Sequence, residues 1–555
     1  MVGARSAVVQ AALLGVLAAL LYLPTLGHGF VNWDDDRLLL DNAAVARADG
    51  LSIIWSRPEL PAGFPNYPLT FTSYWLEHRL WGLAPAGYHA VNLLLHALAT
   101  ALVCLLVRAL GAGAWAAGLT AALFAAHPLQ VESVAWVAER KNVLSAVWYL
   151  AAFLAFLRHR RTGGEAAYVL AVVCAAAALL SKTATITLPV SLLLADRVLR
   201  GRWDPAAFAR VLPLLALGAL AALLTLHAEA EPPPIPLLER PLVAASALWF
   251  YARQLLAPGA LLPVYPRWDV DPGAPLWWLP ALGALAVATL LAARRPPGLT
   301  HWGVGHFAVT LLPVLGLVPY GFTEYSFVAD RHVYLASIGL FLVAALGLDW
   351  LRQRQARAAT LLAVALVALL AVRTHRQQAV WRDGEALWGY ELTQAPDSWL
   401  ARNNLAMALI AQQRLDEAAP LLEEALTIRP EYAEAHNNLA LVRYRQGAFA
   451  VAEQHSRAAA SLKPYDAGLG KNLALTLIAL GRQEEAEREL RRALREVPQA
   501  AEVRYVLADL LLQQARTEEA VRELQAAVAA RPDWIEARQK LDAALQRLNT
   551  ETQSH

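Results

Sequence analysis

Long apolar stretches fill the first two thirds of the chain, whereas regularly spaced polar and apolar residues fill the last third. A helix that crosses a membrane needs about 20 apolar residues. By that length the N-terminal part contains eleven candidate spans, at residues 7–26, 88–110, 113–127, 141–158, 165–181, 182–197, 205–226, 275–293, 301–320, 331–350 and 357–373. A twelfth stretch, 241–257, is interrupted by Arg253 and Gln254, so we expect a helix that lies at the membrane interface.

The last third of the chain repeats with a period of 34 residues. Prolines recur at this spacing at Pro396, Pro430, Pro464, Pro498 and Pro532. Leu-Ala pairs follow the same period and begin at Leu405, Leu439, Leu473 and Leu507. Small residues allow two antiparallel helices to pack closely, and a proline ends the second helix of each unit. The pattern is typical of the tetratricopeptide repeat and predicts units at 399–432, 433–466, 467–500 and 501–534, with a capping helix and tail at 535–555.

Composition indicates a membrane domain before the repeats. Hydrophobic residues make up 57% of the 555 residues and charged residues 17%, and the apolar excess lies before residue 374. We therefore expect an all-α protein with a polytopic membrane bundle over 1–373, a linker and lead-in helix over 374–398, and an α-solenoid of repeats. The net charge of +2 indicates no nucleic-acid partner, and the chain has no glycine-rich phosphate loop of the Walker type.

Basic loops predict the orientation of the bundle. Eleven spans place four short arginine-rich connections on one side, at 158–161, 197–202, 294–295 and 352–357. Because arginine-rich loops stay in the cytoplasm, we expect that side to be cytoplasmic. The loops that then lie outside, together with the repeats, are 27–87, 127–140, 227–274 and 321–330. An even number of spans would place the repeats in the cytoplasm.

Three adjacent aspartates follow the first span. Asp34, Asp35 and Asp36 stand directly after an apolar helix end. Mutual repulsion and lost solvation raise the pKa of at least one carboxyl in such a group, which suits a general base. On this motif alone, a helix cap with solvated loop charges is the simpler interpretation.

Polar residues also enter the second span. His89, Asn92 and His96 lie three and four residues apart and therefore share one helical face. Polar groups within a span usually face the interior of the bundle. We interpret these three residues as hydrogen-bonding groups between helices rather than as catalysts.

Basic residues in the outer loops are candidates for binding a lipid-linked phosphate. Glu132, Arg140 and Lys141 lie in the second outer loop, Lys182 stands between two apolar stretches, and Arg331 begins a late span. Guanidinium and ammonium groups satisfy phosphate oxygens well. Anchoring of the helix ends at the level of the lipid headgroups explains the same cations equally well.

Several of these segments follow each other in an order that is typical of one family. The matching motifs are Trp-Asp-Asp at 33–35 with Asp-Asn at 41–42, Leu-Trp-Gly-Leu at 80–83 with Gly-Tyr-His at 87–89, His-Pro at 127–128 with Glu-Ser-Val-Ala-Trp-Val at 132–137 and Arg-Lys-Asn at 140–142, Ser-Lys at 181–182, and Asp-Arg-His-Val-Tyr-Leu at 330–335. Over nearly its whole length the chain resembles the transmembrane and tetratricopeptide-repeat protein O-mannosyltransferases, within the GT-C glycosyltransferase superfamily. The composition, rich in alanine and arginine, suggests a bacterial relative in the inner membrane, with extracytoplasmic repeats.

The resemblance implies a GT-C-like fold and an activity. Such an enzyme moves a mannose-like sugar from a polyprenyl-phosphate donor to a hydroxyl acceptor, on protein serine or threonine, at the extracytoplasmic face. The family pattern assigns the catalytic base to Asp34, with Asp35 as its orienting group or alternate. It assigns donor-phosphate and substrate binding to Glu132, Arg140, Lys141, Lys182, Arg331 and Tyr334. A divalent metal is not required in this interpretation, although three aspartates could hold one.

Two other functions fit the same architecture. An O-antigen ligase or polymerase also spans the membrane many times, and a scaffold without catalysis could present the repeats to partners. In the transferase interpretation, the repeats capture a protein acceptor or a partner along their concave face. Asparagines that recur on the first helices could bind a peptide backbone or form hydrogen bonds between repeats, namely Asn403, Asn404, Asn437, Asn438 and Asn472.

Overall fold

The computed structural model describes residues 2–56, 67–228, 234–294, 296–531 and 534–553. Over these residues the chain forms helices and no strands, which confirms the all-α prediction. The chain divides into two compact units, Met1–Gln394 and Ala395–His555. Arg295 of a basic loop and Pro532 of the last repeat lie outside the described residues.

The first unit is a bundle of apolar helices with a few short ones between them. Its described helices are α1 Val2–Tyr22, α2 Ala43–Ala46, α3 Gly50–Ser56, α4 Pro68–Trp81, α5 Pro85–Ala109, α6 Ala114–Ala126, α7 Val131–Ala135, α8 Arg140–Thr162, α9 Glu165–Ser181, α10 Leu188–Arg200, α11 Pro205–Ala228, α12 Arg240–Leu256, α13 Leu279–Ala293, α14 Leu299–Leu311, α15 Ser337–Arg352, α16 Ala356–Gln378 and α17 Gly384–Gln394. Short turns of tighter helix join several of them, at Pro128–Gln130, Val137–Glu139, Thr183–Thr187 and Asp330–Val333.

Each of the eleven predicted spans overlaps a helix of this unit, although in 182–197, 301–320 and 331–350 the helix covers only part of the span. In the described part of the chain, six segments are long and apolar enough to cross a membrane: Arg5–Gly27, Pro85–Ala109, Val137–Thr162, Pro205–Ala228, Pro275–Ala293 and Ala356–Trp381. Helices α6, α10 and α14 have 13 residues each. At 1.5 Å per residue such a helix reaches only about 20 Å, less than the ~30 Å hydrocarbon core. The protein is thus an integral membrane protein, and the number of eleven crossings stays a prediction.

Small residues allow two pairs of helices to approach closely. A Cβ atom on Gly15 of α1 would lie 2.8 Å from the carbonyl oxygen of Ala97 in α5. A Cβ atom on Gly303 of α14 would lie 2.6 Å from the carbonyl oxygen of Gly339 in α15. Such backbone contacts are typical of helix pairs in membranes, where packing replaces the hydrophobic effect as the driving force.

Four segments meet at one end of this bundle and carry the candidate chemistry. They are the residues after α1, the turns on either side of α7, the turn after α9, and the segment before α15. The amide of Ala138 donates to Asp35, and Arg331 contacts Glu132, so segments distant in sequence are joined directly. The same end also receives the residues that follow α16, because the amide of Gly29 donates to the carbonyl of Arg382.

The second unit is a stack of helix pairs. Its described helices are α18 Trp399–Ala411, α19 Leu415–Ile428, α20 Ala433–Arg445, α21 Phe449–Leu462, α22 Ala467–Ala479, α23 Gln483–Glu496, α24 Ala501–Gln513, α25 Thr517–Ala530 and α26 Ile535–Gln553. The alanines of the Leu-Ala pairs are almost fully buried on the first helices, at Ala406, Ala440, Ala474 and Ala508. Alanines that recur on the second helices are buried as well, at Ala418, Ala452, Ala486 and Ala520. Leu541 and Ala544 of α26 pack against the core of the last repeats, as expected for a capping helix.

The recurring asparagines form hydrogen bonds between neighbouring repeats. The Nδ2 atom of Asn438 donates to Oδ1 of Asn403 at 2.9 Å, and Nδ2 of Asn472 donates to Oδ1 of Asn437 at 2.8 Å. These contacts correspond to the second of the two predicted roles. They hold adjacent first helices in register, as expected in an array whose stability depends on neighbouring units.

Candidate active site

The two leading aspartates occupy different environments. Asp35 is buried, and its two carboxylate oxygens accept hydrogen bonds from the backbone amides of Val31 at 2.9 Å and Ala138 at 2.8 Å. Asp34 is half-buried, and within the described residues its carboxylate accepts no hydrogen bond. Asp35 therefore joins two loops, whereas Asp34 has a carboxylate available to a substrate.

Burial changes the acidity of both groups. It raises the pKa of Asp34 above its ordinary value, and the positive charges of Lys141 and Arg331 oppose that rise. Burial also raises the pKa of Asp35 to about 7, although two backbone amides favour its ionised form. A half-buried carboxyl with a raised pKa is a better proton acceptor than an ordinary aspartate.

Three cations gather around one buried glutamate near Asp34. The Nζ atom of Lys141 lies 3.0 Å from Oε1 of Glu139, and Nζ of Lys182 lies 3.4 Å from Oε2 of the same residue. The Nε atom of Arg331 is 3.7 Å from Oε1. The ends of three separate segments thus bring their positive charges to one point, which is the arrangement that a phosphate anion requires.

Glu132 holds Arg331 in place through two contacts. Its Oε1 atom accepts from Nη1 of Arg331 at 2.6 Å, and its Oε2 atom accepts from the Arg331 backbone amide at 2.6 Å. Burial raises the pKa of the Glu132 carboxyl, and the charge of Arg331 opposes that shift. Since both oxygens are occupied by one residue, Glu132 positions the guanidinium rather than contacting a substrate itself.

Burial also makes Lys182 more acidic. It lowers the pKa of this lysine to about 8, and the carboxylate of Glu139 opposes that shift. Asn142 accepts from Nζ of Lys182 at 2.5 Å and donates to the carbonyl of Arg331 at 2.8 Å. A single amide therefore connects two of the three cations.

Aromatic rings form the walls beside the cations. The ring of Trp136 lies 5.6 Å from Nζ of Lys141 and 5.5 Å from the guanidinium carbon of Arg331. Phe322 lies 4.2 Å from the same guanidinium carbon. Rings at this distance stabilise cations and limit access of water to them.

A second aromatic group supports the aspartates from behind. Trp388 of α17 is fully buried, donates from Nε1 to Oδ1 of Asn32 at 3.1 Å, and lies edge-on to Trp33 at 5.3 Å. Trp381 stacks on Trp136 at 5.4 Å. The segment after the last membrane helix therefore contacts both the aspartate loop and the wall of the cation cluster.

Two of the predicted site residues lie away from this cluster. The guanidinium of Arg140 is fully buried against Glu77, and it also donates to the Tyr88 carbonyl at 2.9 Å and to Ser73 Oγ at 3.1 Å. The hydroxyl of Tyr334 is 2.8 Å from Nδ1 of His96, inside the bundle. Both side chains have their polar groups occupied by protein partners.

The polar face of α5 serves helix packing, as its spacing indicates. Nε2 of His89 lies 3.2 Å from the Gly29 carbonyl, and Nδ2 of Asn92 donates to the Trp136 carbonyl at 3.0 Å. Together with the contact between His96 and Tyr334, these bonds tie α5 to the loops that form the site. They match the interpretation of the three residues as links between helices.

Three residues to which the sequence assigns no role in the site are central to the geometry. Glu139 is the carboxylate shared by the cations, Asn142 bridges Lys182 and Arg331, and Glu77 neutralises Arg140. Glu139 and Asn142 flank the Arg-Lys pair in sequence. For Glu139, a carboxylate next to two cations is a signal that the sequence contains. Glu77 has no local signal, because its partner is 63 residues away.

The arrangement offers a base and an anion site within one cluster. Asp34 provides a free carboxylate, and the side chains of Lys141, Lys182 and Arg331 outnumber the carboxylates of Glu132 and Glu139 by one charge. Across the described ranges, no three His, Cys, Asp or Glu side chains are grouped closely enough to hold a metal ion. The chemistry that these residues can perform is proton removal beside a bound anion.

Comparison with known families first identifies the second unit. Sequence models described as "TPR repeat" and "Tetratricopeptide repeat" match residues 406–447 and 477–545. Among solved structures, a thermophilic TPR protein of Thermus thermophilus covers 32% of this chain and 95% of its own, with 23% identity and a TM-score of 0.27. The two sequence matches confirm the predicted tetratricopeptide repeats.

Curated proteins of one kind match parts of the chain that range from about a quarter to three quarters of its length. The protein O-mannosyl-transferase Tmtc2 of Drosophila melanogaster is 40% identical over 220 residues, which cover 37% of this chain and 23% of that protein. A protein O-mannosyl-transferase of Caenorhabditis elegans is 25% identical over 454 residues, 75% of this chain and 62% of that protein. TMTC3 of Mus musculus is 25% identical over 470 residues, 75% of this chain and 50% of that protein.

Only a small part of the two Drosophila proteins is matched. The chain spans about a quarter or less of the length of the two Drosophila proteins, 23% and 21%. The longer alignments nevertheless cover three quarters of this chain, 75% in each case, at lower identity. The resemblance predicted from the outer-loop motifs is confirmed, and the chain is a relative of the protein O-mannosyl-transferases of the TMTC group.

Proposed function

We propose that the protein is a membrane glycosyltransferase that moves a mannose-like sugar from a polyprenyl-phosphate donor to a hydroxyl of a protein acceptor. The relatives are named protein O-mannosyl-transferases, which gives the class of reaction. The observation that carries the proposal is the free carboxylate of Asp34 beside the cluster of Lys141, Lys182 and Arg331. A base and a phosphate site are the two elements that such a transfer requires.

The reaction follows from the positions of these charges. Asp34 accepts the proton of the acceptor hydroxyl while that oxygen attacks the anomeric carbon of the sugar. The bond between the anomeric carbon and the phosphate oxygen breaks, and its electron pair leaves with the polyprenyl phosphate. Lys141, Lys182 and Arg331 stabilise the charge that develops on this phosphate. The product is a new glycosidic bond, with configuration inverted at the anomeric carbon because attack and departure occur on opposite faces.

The remaining residues of the cluster set the geometry. Glu132 fixes Arg331 through one hydrogen bond from its guanidinium and one from its backbone amide, and Glu139 holds the two lysines and Arg331 around one carboxylate. Asn142 links Lys182 to the backbone of Arg331. Preorganised cations need no rearrangement when the leaving phosphate gains charge, which is the main contribution of such sites.

We propose that the protein lies in a bacterial inner membrane with its repeats extracytoplasmic, and the path of the chain supports the side proposed for the repeats. After α16 the chain runs along the Asp34 end of the bundle, where Trp381 stacks on Trp136 and Trp388 contacts Asn32 and Trp33. The repeats begin at Ala395, directly after α17. The chain therefore leaves the first unit at the end of the bundle that carries Asp34, and the basic loops lie at the other ends of the helices.

The repeats are proposed to recruit the acceptor protein or a partner. Tetratricopeptide repeats present an extended concave surface that suits a polypeptide. Their inter-repeat asparagines are engaged with each other, as in Asn438 with Asn403, so recognition falls to other side chains of that surface.

The experiment is sugar transfer by the purified full chain with radiolabelled mannosyl polyprenyl phosphate and a denatured membrane-protein acceptor mixture. Wild type is expected to label protein, whereas nucleotide-linked mannose in the absence of lipid carrier is not a donor. Lys182→Met is expected to reduce transfer by about two orders of magnitude, since it removes one preorganised charge from the leaving phosphate. Arg158→Met, which removes an exposed cation at the other end of the bundle, is the control and keeps full activity.

Two results would overturn the proposal. Efficient labelling from nucleotide-linked mannose alone would exclude the lipid-linked donor. The absence of transfer in wild type, with intact binding of partners to the repeats, would identify a scaffold instead of an enzyme.

A further inference from the structure

An apolar cavity of about 570 Å³ lies beside α13, a helix with no buried residue. The cavity is formed by α10, α12, α13 and α14, and most of its wall consists of side chains such as Ala288, Leu291 and Val304. A second cavity, of about 690 Å³, adjoins it. Arg197 and Pro297 line both cavities, and Arg202 and Trp203 line the second, so an apolar space is continuous with a basic one.

Helix α13 is attached to its neighbours at its two ends and leaves a space between them. Near its start, Nε1 of Trp249 in α12 donates to the Pro280 carbonyl at 2.9 Å. Near its end, Nε2 of His301 lies 3.1 Å from the Leu291 carbonyl and 3.2 Å from the Arg294 carbonyl. The space between these attachments is open along the exposed helix α13 and almost entirely apolar, so it is complementary to a hydrocarbon chain.

The basic side of the space carries arginines that lack carboxylate partners. Within the described residues, Arg197, Arg202 and Arg294 form no ion pair, and the guanidinium of Arg197 lies only over the ring of Trp203, at 4.7 Å. The nearby Arg160, by contrast, is paired with Asp196 at 2.8 Å. Unpaired cations at the mouth of an apolar cavity are complementary to an amphiphile with an anionic head.

This space lies at the opposite end of the bundle from Asp34. Lys182 stands just before α10, whereas Arg197 is in the last turn of that helix. Lys141 is in the first turn of α8, and Arg160 is in its last turn. The arginine-rich ends therefore face one side of the membrane, and the cation cluster of the candidate active site faces the other.

We propose that this space binds an anionic phospholipid of the leaflet opposite to Asp34. An acyl chain fills the cavity between α13 and α14, and the headgroup phosphate contacts Arg197, Arg202 and Arg294. The lipid completes the attachment of α13 to the bundle. The sugar donor does not fit this site, because its phosphate has to reach Lys141, Lys182 and Arg331 at the other ends of the same helices. The inference is therefore independent of the proposed transfer reaction.

Native mass spectrometry of the full chain tests the site. The protein is released from mixed micelles that contain equal amounts of phosphatidylglycerol and phosphatidylethanolamine. Wild type is expected to retain one phosphatidylglycerol molecule in preference to phosphatidylethanolamine. The variant Arg197→Gln/Arg294→Gln is expected to bind it roughly 30-fold more weakly, because each arginine near an anionic lipid contributes about fivefold.

Two further variants distinguish the contribution of the arginine charges from that of the apolar cavity. Arg158→Gln/Arg357→Gln removes the same number of exposed charges from the same end of the bundle and is expected to bind like wild type. Ala288→Trp fills the apolar cavity, keeps all arginines, and is expected to lose the retained lipid. Elution volume and thermal unfolding in the same detergent check that each variant is folded.

Several outcomes would overturn the proposal. Equal retention of both phospholipids by wild type would exclude recognition of the anionic head. Equal weakening in the two double variants would show that only the general charge of this end of the bundle matters. Displacement of phosphatidylglycerol by an equimolar polyprenyl phosphate, lost again in Arg197→Gln/Arg294→Gln, would assign the site to the isoprenoid carrier.

Discussion

At the level of single residues, two neighbouring carboxyls differ in their hydrogen bonds, and this difference determines which of them can act as a base. Asp35 is tied to two backbone amides, and Asp34 has none, so only Asp34 can exchange a proton with a bound hydroxyl without breaking a structural contact. The same distinction applies to the cations. Lys182 and Arg331 share Glu139 in the cluster, whereas Arg140 is enclosed by Glu77 and backbone carbonyls.

The activity is expected to depend on pH through Asp34. A base acts in its deprotonated form, and burial raises the pKa of Asp34, so the rate should rise with pH through a range above that of an ordinary aspartate. Lys141→Met removes the largest charge that lowers this pKa. The acidic limb of kcat/KM against pH is therefore predicted to move to higher pH in Lys141→Met. A shift to lower pH, or an unchanged limb, would show that another group is the base.

The Arg140 and Glu77 pair is predicted to matter for stability rather than for donor binding. Arg140→Met leaves the carboxylate of Glu77 buried without a partner, which costs about 3–5 kcal/mol. Thermal unfolding in detergent should show a large loss for Arg140→Met and recovery in Arg140→Met/Glu77→Met. If the double variant is stable but lacks transfer, Arg140 has a role in the reaction after all.

At the scale of elements, the turns inside the repeats follow the same 34-residue period as the helices. Positions 413, 447, 481 and 515 all have positive φ, and two of them are glycines while the others are Gln413 and Ala515. Each ends a first helix with the backbone bond typical of a left-handed cap, as from the Arg414 amide to the Leu409 carbonyl. Residues with a Cβ are strained there.

Glycine at these two positions is therefore predicted to stabilise the repeats. Gln413→Gly and Ala515→Gly should each contribute about 0.5–1 kcal/mol, because a glycine adopts positive φ without steric cost. Amide hydrogen exchange of the full chain should slow across α18, α19, α24 and α25. Gly447→Ala is the converse control and should accelerate exchange around α20 and α21. Faster exchange in the glycine variants would contradict the assigned strain.

Helix α17 is predicted to position the aspartate loop. Its Trp388 holds Asn32 by a hydrogen bond and Trp33 by ring contact, and these two residues directly precede Asp34. Trp388→Leu removes both contacts and should lower kcat about tenfold at an unchanged KM for the donor, since a small misplacement of a reacting group is costly. Trp388→Phe keeps the ring contact and should recover part of the rate. A pure rise in KM would assign Trp388 to donor binding instead.

For the whole molecule, the repeat period and the apolar stretches of the sequence are sufficient to predict a helical bundle followed by a stack of repeats. The 34-residue period predicts the four helix pairs of the second unit, because each repeat is built from local contacts. The apolar stretches likewise predict the membrane helices, although length alone does not decide whether the 13-residue α6, α10 and α14 cross the bilayer. The repeat period and the hydropathy pattern thus predict the fold, but they do not determine the number of membrane crossings.

The candidate site depends on contacts between residues that are distant in sequence, and residue spacing alone does not predict these contacts. Arg140 and Lys141 are adjacent in one motif, yet consecutive residues of a helix point about 100° apart. Lys141 therefore faces Glu139, and Arg140 faces Glu77 on α4. In the same way, Arg331 meets Glu132 across 199 residues, and only the fold brings them together.

The role of Asp34 as the base is tested by comparing Asp34→Asn with Asp35→Asn in the purified full chain, by transfer of labelled mannose from mannosyl polyprenyl phosphate and by thermal unfolding. Asp34→Asn is predicted to lose at least about a hundredfold in transfer, the contribution of a general base, and to unfold like wild type. Asp35→Asn is predicted to unfold at lower temperature, because it loses an acceptor of the Val31 and Ala138 amides. Full transfer by a folded Asp34→Asn would show that Asp34 is not the base.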